Sequence, residues 1–224
     1  MDGEKRRKDG IRNWFLVFLL IVLIAAGSQY ILGQEKDKED KKTEEKTCLA
    51  EECHSKPLQA EIGDEKMEQD EKLTKEECHK KFAVELFNLV WTLLEKEDRT
   101  KRDDNKMINA AYASLYHWSV VGKAINSQRG HWMVSRVYSV LARPEPALYH
   151  AKECMQLTQQ HNFVDFDLAF AYEAMARAYA VNRNRGECQK YVKLALEAGE
   201  KIKGEEDRKY FFSDFEKGPW YGMK

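Results

Sequence analysis

From Thr74 onward, apolar side chains return at helical intervals, and this regularity restricts most of the chain to stacked helices. Phe82, Leu86, Leu89, Val90, Leu93 and Leu94 share one face of a first helix. Thr74 and Glu77 stand at the spacing of a capping box at its start. The charged run from Glu97 to Asp104 reads as a turn. A second helix follows, with Ile108, Ala111, Leu115 and Trp118 as its stripe, and ends near Gly122. A third begins at Asn126 or Ser127 and reaches Arg143. Pro144 and Pro146 cannot extend it, but they suit the first turn of a fourth helix that runs to about Gln160. Asp165 or Asp167 caps a fifth, which stops at Asn182-Arg183-Asn184. A sixth covers Gly186 to Ile202, with Gly204 as its stop. Tyr210, Phe211 and Phe215 give a short last helix an apolar side, expected to cover the open end of the stack. With only 4 prolines and 12 glycines in 224 residues, little interrupts this series, and the expected class is all-α.

Ahead of the helical region stand three segments of different chemistry. Residues 1–13 carry Lys5, Arg6, Arg7, Lys8 and Arg12. Residues 14–32 are almost wholly apolar and as a helix would span about 28 Å, close to the hydrocarbon thickness of a bilayer. Trp14 and Tyr30 lie near its ends, where amphipathic rings favour the interface. The expectation is a retained anchor with the helical domain outside the cytoplasm. The alternative is a signal segment cleaved at Ala26-Gly27-Ser28, leaving a secreted protein. Residues 33–73 are dominated by Glu, Asp and Lys and read as a charged flexible tether. The helical domain is placed at 74–217 and a C-terminal tail at 218–224.

An internal echo appears at an offset of 41 residues. Ser135-Arg136-Val137-Tyr138 matches Ala176-Arg177-Ala178-Tyr179, and Ala147, Ala151 and Cys154 match Cys188, Val192 and Ala195. Small residues at these places let two helices cross closely while the tyrosine fills the gap. On these positions the chain resembles the tetratricopeptide repeat, with one copy from about Gln128 to His161 and another from about Ala169 to Ile202. It departs from that pattern in lacking the glycine inside the first helix and the terminal proline. The stretch from His117-Trp118 through Arg129-Gly130-His131-Trp132 to Arg143-Pro144-Glu145-Pro146 also resembles an uncharacterised prokaryotic family of helical repeats. The resemblance implies a stack of antiparallel helix pairs and no particular activity.

In tetratricopeptide folds the first helix of each pair lines a concave groove. That geometry would put Arg129, Trp132 and Arg136 on the groove from one copy, and Phe170, Glu173 and Arg177 from the next. Val134, Tyr138 and Leu141 lie on another stripe, suited to the core. The partner-binding set expected is therefore Arg129, Trp132, Arg136, Glu173 and Arg177. Guanidinium groups offer paired donors in a fixed fork, which suits a carboxylate or phosphate, and the indole supplies an apolar or cation–π surface. The same arginines could instead pair with Glu173 to bridge helices. The expected function is a membrane-anchored adaptor for a protein or peptide, not an enzyme.

Other residues carry other chemistry. His117, His131 and His150 fall on three successive helices, so the alternative is a hydrolase or small-molecule-binding protein using a histidine cluster. No nucleophile elbow, metal-binding helix pair or phosphate loop accompanies them. Cys48 to His54 is a widened form of the haem-attachment motif in a segment with no apolar wrap, and Cys53-His54 with Cys78-His79 fits no standard zinc spacing. No cofactor is expected. Five cysteines fix no redox compartment, and Cys154 and Cys188 read as buried core. The net charge of -1 gives no surplus for a polyanion, so no nucleic acid is expected as partner.

Overall fold

The computed structural model describes residues 73–224, and all regular structure among them is helical. The seven helices are α1 (Lys75–Leu94), α2 (Lys101–Val121), α3 (Ala124–Val140), α4 (Pro144–Gln160), α5 (Phe166–Val181), α6 (Arg185–Gly199) and α7 (Glu205–Glu216). Helix α1 starts as expected: Thr74 Oγ1 accepts the Glu77 N–H at 3.2 Å and the Glu77 carboxylate accepts the Thr74 N–H at 2.8 Å. Helix α2 starts inside the run read as a turn. There Asp103 accepts the Thr100 N–H at 2.9 Å and returns its own N–H to the threonine hydroxyl. Aspartate at the third position closes the box as glutamate does. A charged run without apolar period therefore still opens a helix.

The buried stripes are rotated from those expected. Helix α1 buries Ala83, Phe87, Val90 and Leu93 and leaves Phe82 47% exposed. Helix α2 buries Met107, Ala110, Ala111 and Ser114, while Ile108, Leu115 and Trp118 are half-buried. The cause is close approach between small residues, seen where the Ser114 hydroxyl donates to the Ala83 carbonyl at 2.7 Å.

Helices α3 and α4 run antiparallel. Gln128, early in α3, donates to Thr158, late in α4, at 3.0 Å, and Ser135 donates to the Ala147 carbonyl at 2.9 Å. Helices α3, α5 and α7 lie parallel: Trp132 meets Phe170 with ring centroids 5.3 Å apart, and Phe170 meets Phe211 at 5.1 Å. Flanked on several sides, α3 is buried from Trp132 through Ser139, and so is nearly all of α5 from Ala169 to Val181. A helix buried all round has no single apolar stripe.

Helices α3, α4 and α5 end in the same turn. Ala142, Asn162 and Arg183 adopt φ of 55°, 52° and 59°. The N–H groups of Arg143, Phe163 and Asn184 reach back to the carbonyls of Tyr138, Thr158 and Tyr179 at 2.9, 2.9 and 3.0 Å, closing a Schellman motif. Gly204 precedes α7 as its N-cap and does not end α6. Helix α6 stops at Gly199, where a Cβ would overlap the Phe211 ring. No helix of the described residues is long and apolar enough to cross a membrane. The expected basic flank and apolar segment 14–32, and the tether as far as residue 72, lie outside the described residues.

Candidate functional site

The parallel course of α3, α5 and α7 gathers four charged side chains in the interior. Arg136 comes from α3, Glu173 and Arg177 one turn apart from α5, and Asp214 from α7. They are 6%, 0%, 1% and 0% exposed. Arg136 bridges both acids, with Nη1 at 2.9 Å from Glu173 Oε1 and Nη2 at 3.1 Å from Asp214 Oδ1. Arg177 pairs with the same Glu173 oxygen through Nε, and its Nη2 donates to the Asp214 backbone carbonyl at 2.9 Å. Glu173 Oε2 accepts the Trp132 indole N–H at 3.0 Å. Two cations thus face two anions, which is how buried charge is tolerated. Burial works against the Arg136 charge, but Asp214 and Glu173 outweigh it and raise its pKa. Burial lowers that of Arg177, which also feels Arg136. Both guanidinium groups stay charged at neutral pH.

Satisfaction is incomplete. Arg136 Nε, Arg177 Nη1, Ser139 Oγ and Asp214 Oδ2 are buried and lack a hydrogen-bond partner within the protein. Over this cluster folds the C-terminal tail. The Trp220 ring lies 4.5 Å from the Arg177 guanidinium, and its indole N–H donates to the Phe215 carbonyl at 3.0 Å. The Tyr221 hydroxyl donates to the Ser139 carbonyl at 2.6 Å. Arg183 Nη1 donates to the Tyr221 carbonyl at 2.8 Å, and Arg185 Nη2 to the Gly222 carbonyl at 3.0 Å.

The structure brings together the five residues expected to bind a partner, but not on an open groove. Arg136, Glu173, Arg177 and Trp132 are buried, because α7 and the tail occupy the face where solvent was expected. Arg129 is half-buried and clasps Asp167 at the start of α5 with both ends of its fork, at 2.8 and 3.1 Å. Phe170, also expected on the groove, is buried against Trp132 and Phe211. Sequence reading missed Asp214 and Trp220. The one signal for Asp214 was its position between Phe211 and Phe215, an acid on the apolar side of a short helix.

The three histidines do not converge. His131 and His150 face each other through Nδ1 atoms 2.9 Å apart, and His150 Nε2 meets the Tyr112 hydroxyl at 3.0 Å. His117 pairs instead with His79, again Nδ1 to Nδ1, at 2.9 Å. Burial, then the neighbouring His131, pushes the pKa of His150 down to about 4. Each of these rings is hydrogen-bonded to another ring or to a tyrosine hydroxyl, and Glu153 is the carboxylate whose charge acts on His131. Among the described residues no group of three or more His, Cys, Asp or Glu side chains is placed to hold a metal ion. Of the four zinc ligands considered, Cys53 and His54 lie outside the described residues, as does the haem-like Cys48 to His54 segment. Cys154 and Cys188 are fully buried thiols, both shifted upward by burial, which keeps the reactive thiolate scarce. Compared with protein-family models, with curated proteins and with solved structures, the chain matches none.

Proposed function

We propose that this chain is a membrane-anchored adaptor. Its stacked helix pairs, of tetratricopeptide type, would hold a protein or peptide segment across the face formed by α3 and α5. The observation that carries this reading is that the face already holds a polypeptide segment. Residues 218–222 lie at the C-terminal end of that face, with Trp220 over Arg177 of α5 and the Tyr221 and Gly222 carbonyls taken by Arg183 of the turn after α5 and Arg185 at the start of α6. Side-chain donors that take backbone carbonyls of a turn supply affinity with little regard to sequence, and the ring over Arg177 supplies selectivity. In this account Arg129, Trp132, Arg136 and Glu173 fix the shape of the face, and Arg177 touches the held segment through Trp220.

The repeat type is supported by matched burial at the 41-residue offset. Ser135 and Ala176, Ala147 and Cys188, and Cys154 and Ala195 are all fully buried, and the turns after Tyr138 and Tyr179 close with the same backbone bond. The anchor rests on residues 14–32 and their basic flank, with the helical domain outside the cytoplasm.

The test is photo-crosslinking in the native host from position 217, beside the held segment, with position 149 on α4 as the control. A discrete protein captured from 217, and lost on Arg183→Glu with Arg185→Glu, is the expected result. Capture from 149 alone, or no capture, would remove this face as the binding surface.

A further inference from the structure

The tail covers the C-terminal ends of α3 and α5 and the turn that leads into α6, with contacts of two unequal kinds. Its grip on Arg183 and Arg185 is through neutral backbone carbonyls and engages two side chains that are exposed to water. Each guanidinium carries five N–H donors, so both arginines have capacity left beyond the single bonds the tail takes. Beneath the tail, Arg177 Nη1 and Ser139 Oγ are buried with no partner in the protein. The tail itself brings Lys224 to this place, a further cation beside Phe215 and only one acid, Glu216. The covering segment therefore supplies aromatic cover, Trp220 on Arg177 and Tyr221 on Arg183 at 5.2 Å, but no side-chain carboxylate for Arg183 or Arg185.

The tail turns back at Tyr221 and Gly222, whose φ angles are 51° and 70°, and the Met223 N–H donates to the Trp220 carbonyl at 2.9 Å. We propose that residues 218–224 stand in for a partner, and that the partner's segment is an acidic, turn-forming peptide carrying a tryptophan or tyrosine. This deepens the adaptor reading and rests on it. Carboxylates in place of the Tyr221 and Gly222 carbonyls would make charge-assisted bonds to Arg183 and Arg185, about twice as strong as neutral ones. An aromatic ring would replace Trp220 over Arg177. Because the segment is part of the chain, a ligand binds only after displacing it, and the tail's local concentration sets how much tighter the ligand must be.

The probe is a fluorescent octapeptide with the sequence of residues 217–224 in which Asp replaces the residues matching Gly222 and Met223. Its binding is followed by anisotropy to the full chain and to the full chain carrying Trp220→Ala and Tyr221→Ala. The expected result is at least tenfold tighter binding to the variant than to the unaltered chain, reversed by adding Arg183→Glu and Arg185→Glu. Equal binding to both chains, or none to a variant that keeps its helical spectrum and cooperative urea transition, overturns the proposal. Should the variant not fold, the unaltered chain is titrated with millimolar peptide. Faster amide exchange at residues 220–223 upholds displacement, and unchanged exchange overturns it. Dimers joined by exchanged tails would also overturn it, since the occupant would then be a second copy. The adaptor reading fails separately: partner capture from position 217 that the tail variant leaves unaltered sinks the displacement alone, whereas absence of capture in every variant sinks the adaptor.

Discussion

His150 gives both ring nitrogens to neighbours, Nδ1 to His131 and Nε2 to the Tyr112 hydroxyl. A neutral imidazole offers one donor and one acceptor, so one tautomer serves both contacts if His131 takes the complementary role. Protonating both rings would set N–H against N–H. The groups facing this pair are Tyr112 from α2, Tyr138 from α3 and Tyr149 and Glu153 from α4. Only the glutamate offers charge to offset a second proton. With its pKa lowered from 6.5 to about 4, folded His150 refuses a proton that the unfolded chain accepts. Its contribution to stability is complete above pH 6.5 and is lost as the pH falls toward 4, by on the order of 3 kcal/mol at the bottom of that window. Urea midpoints measured from pH 7.5 to 4.5 should therefore fall, and His150→Phe should flatten the decline. An unaltered slope in that variant would assign the loss to other groups.

At the scale of elements, the devices confined to a few consecutive residues were the legible ones. Thr74 with Glu77, the proline at the start of α4 and the Asn182-Arg183-Asn184 turn all stand where the sequence put them. The rotation of the buried stripes was not legible. A large side chain such as Phe82 marks an apolar face in a sequence, whereas contact is set by where small residues such as Ala83 and Ser114 let backbones approach. Arg136 and Arg177 stand at matching places 41 residues apart in the sequence, but their inward direction depends on Asp214 and Trp220, far along the chain. The shared αL turn offers a direct test of element-scale strain. Ala142 holds φ at 55° with a Cβ that this region disfavours. Glycine there should raise the stability by about 0.5–1 kcal/mol, read as a higher urea midpoint at constant slope. Asn162→Gly in the equivalent turn should gain less, because asparagine tolerates this conformation. Equal gains at both sites would mean that side-chain sterics do not set the cost.

Across the whole helical domain, the last twenty residues close a structure that the preceding helices leave unfinished. Without α7 and the tail, Arg136 and Arg177 would face Glu173 alone, and Phe170 would lose Phe211. Deleting α7 also opens Arg136 and Arg177 to water, so the loss of Asp214 costs less than it would in a cluster that stayed buried. Loss of the buried Phe211 and Phe215 side chains costs roughly 1.5–3 kcal/mol each. Against a usual total of about 5–15 kcal/mol for a domain, that loss is a large share of the stability. The tail alone is a smaller matter, since Asp214, Phe211 and Phe215 all precede it. A chain ending at Lys217 should keep a cooperative thermal transition at a lowered midpoint, with the indole contact and the two carbonyl contacts gone. A chain ending at Gly204 should bind a hydrophobic dye and lose that transition, because the apolar surface that Phe211 and Phe215 cover, Phe170 included, is then bare. If the chain ending at Gly204 melts as sharply and as high as the intact protein, the arginine–carboxylate cluster is not what ties α3 to α5, and α7 is an appendage to a stack already complete.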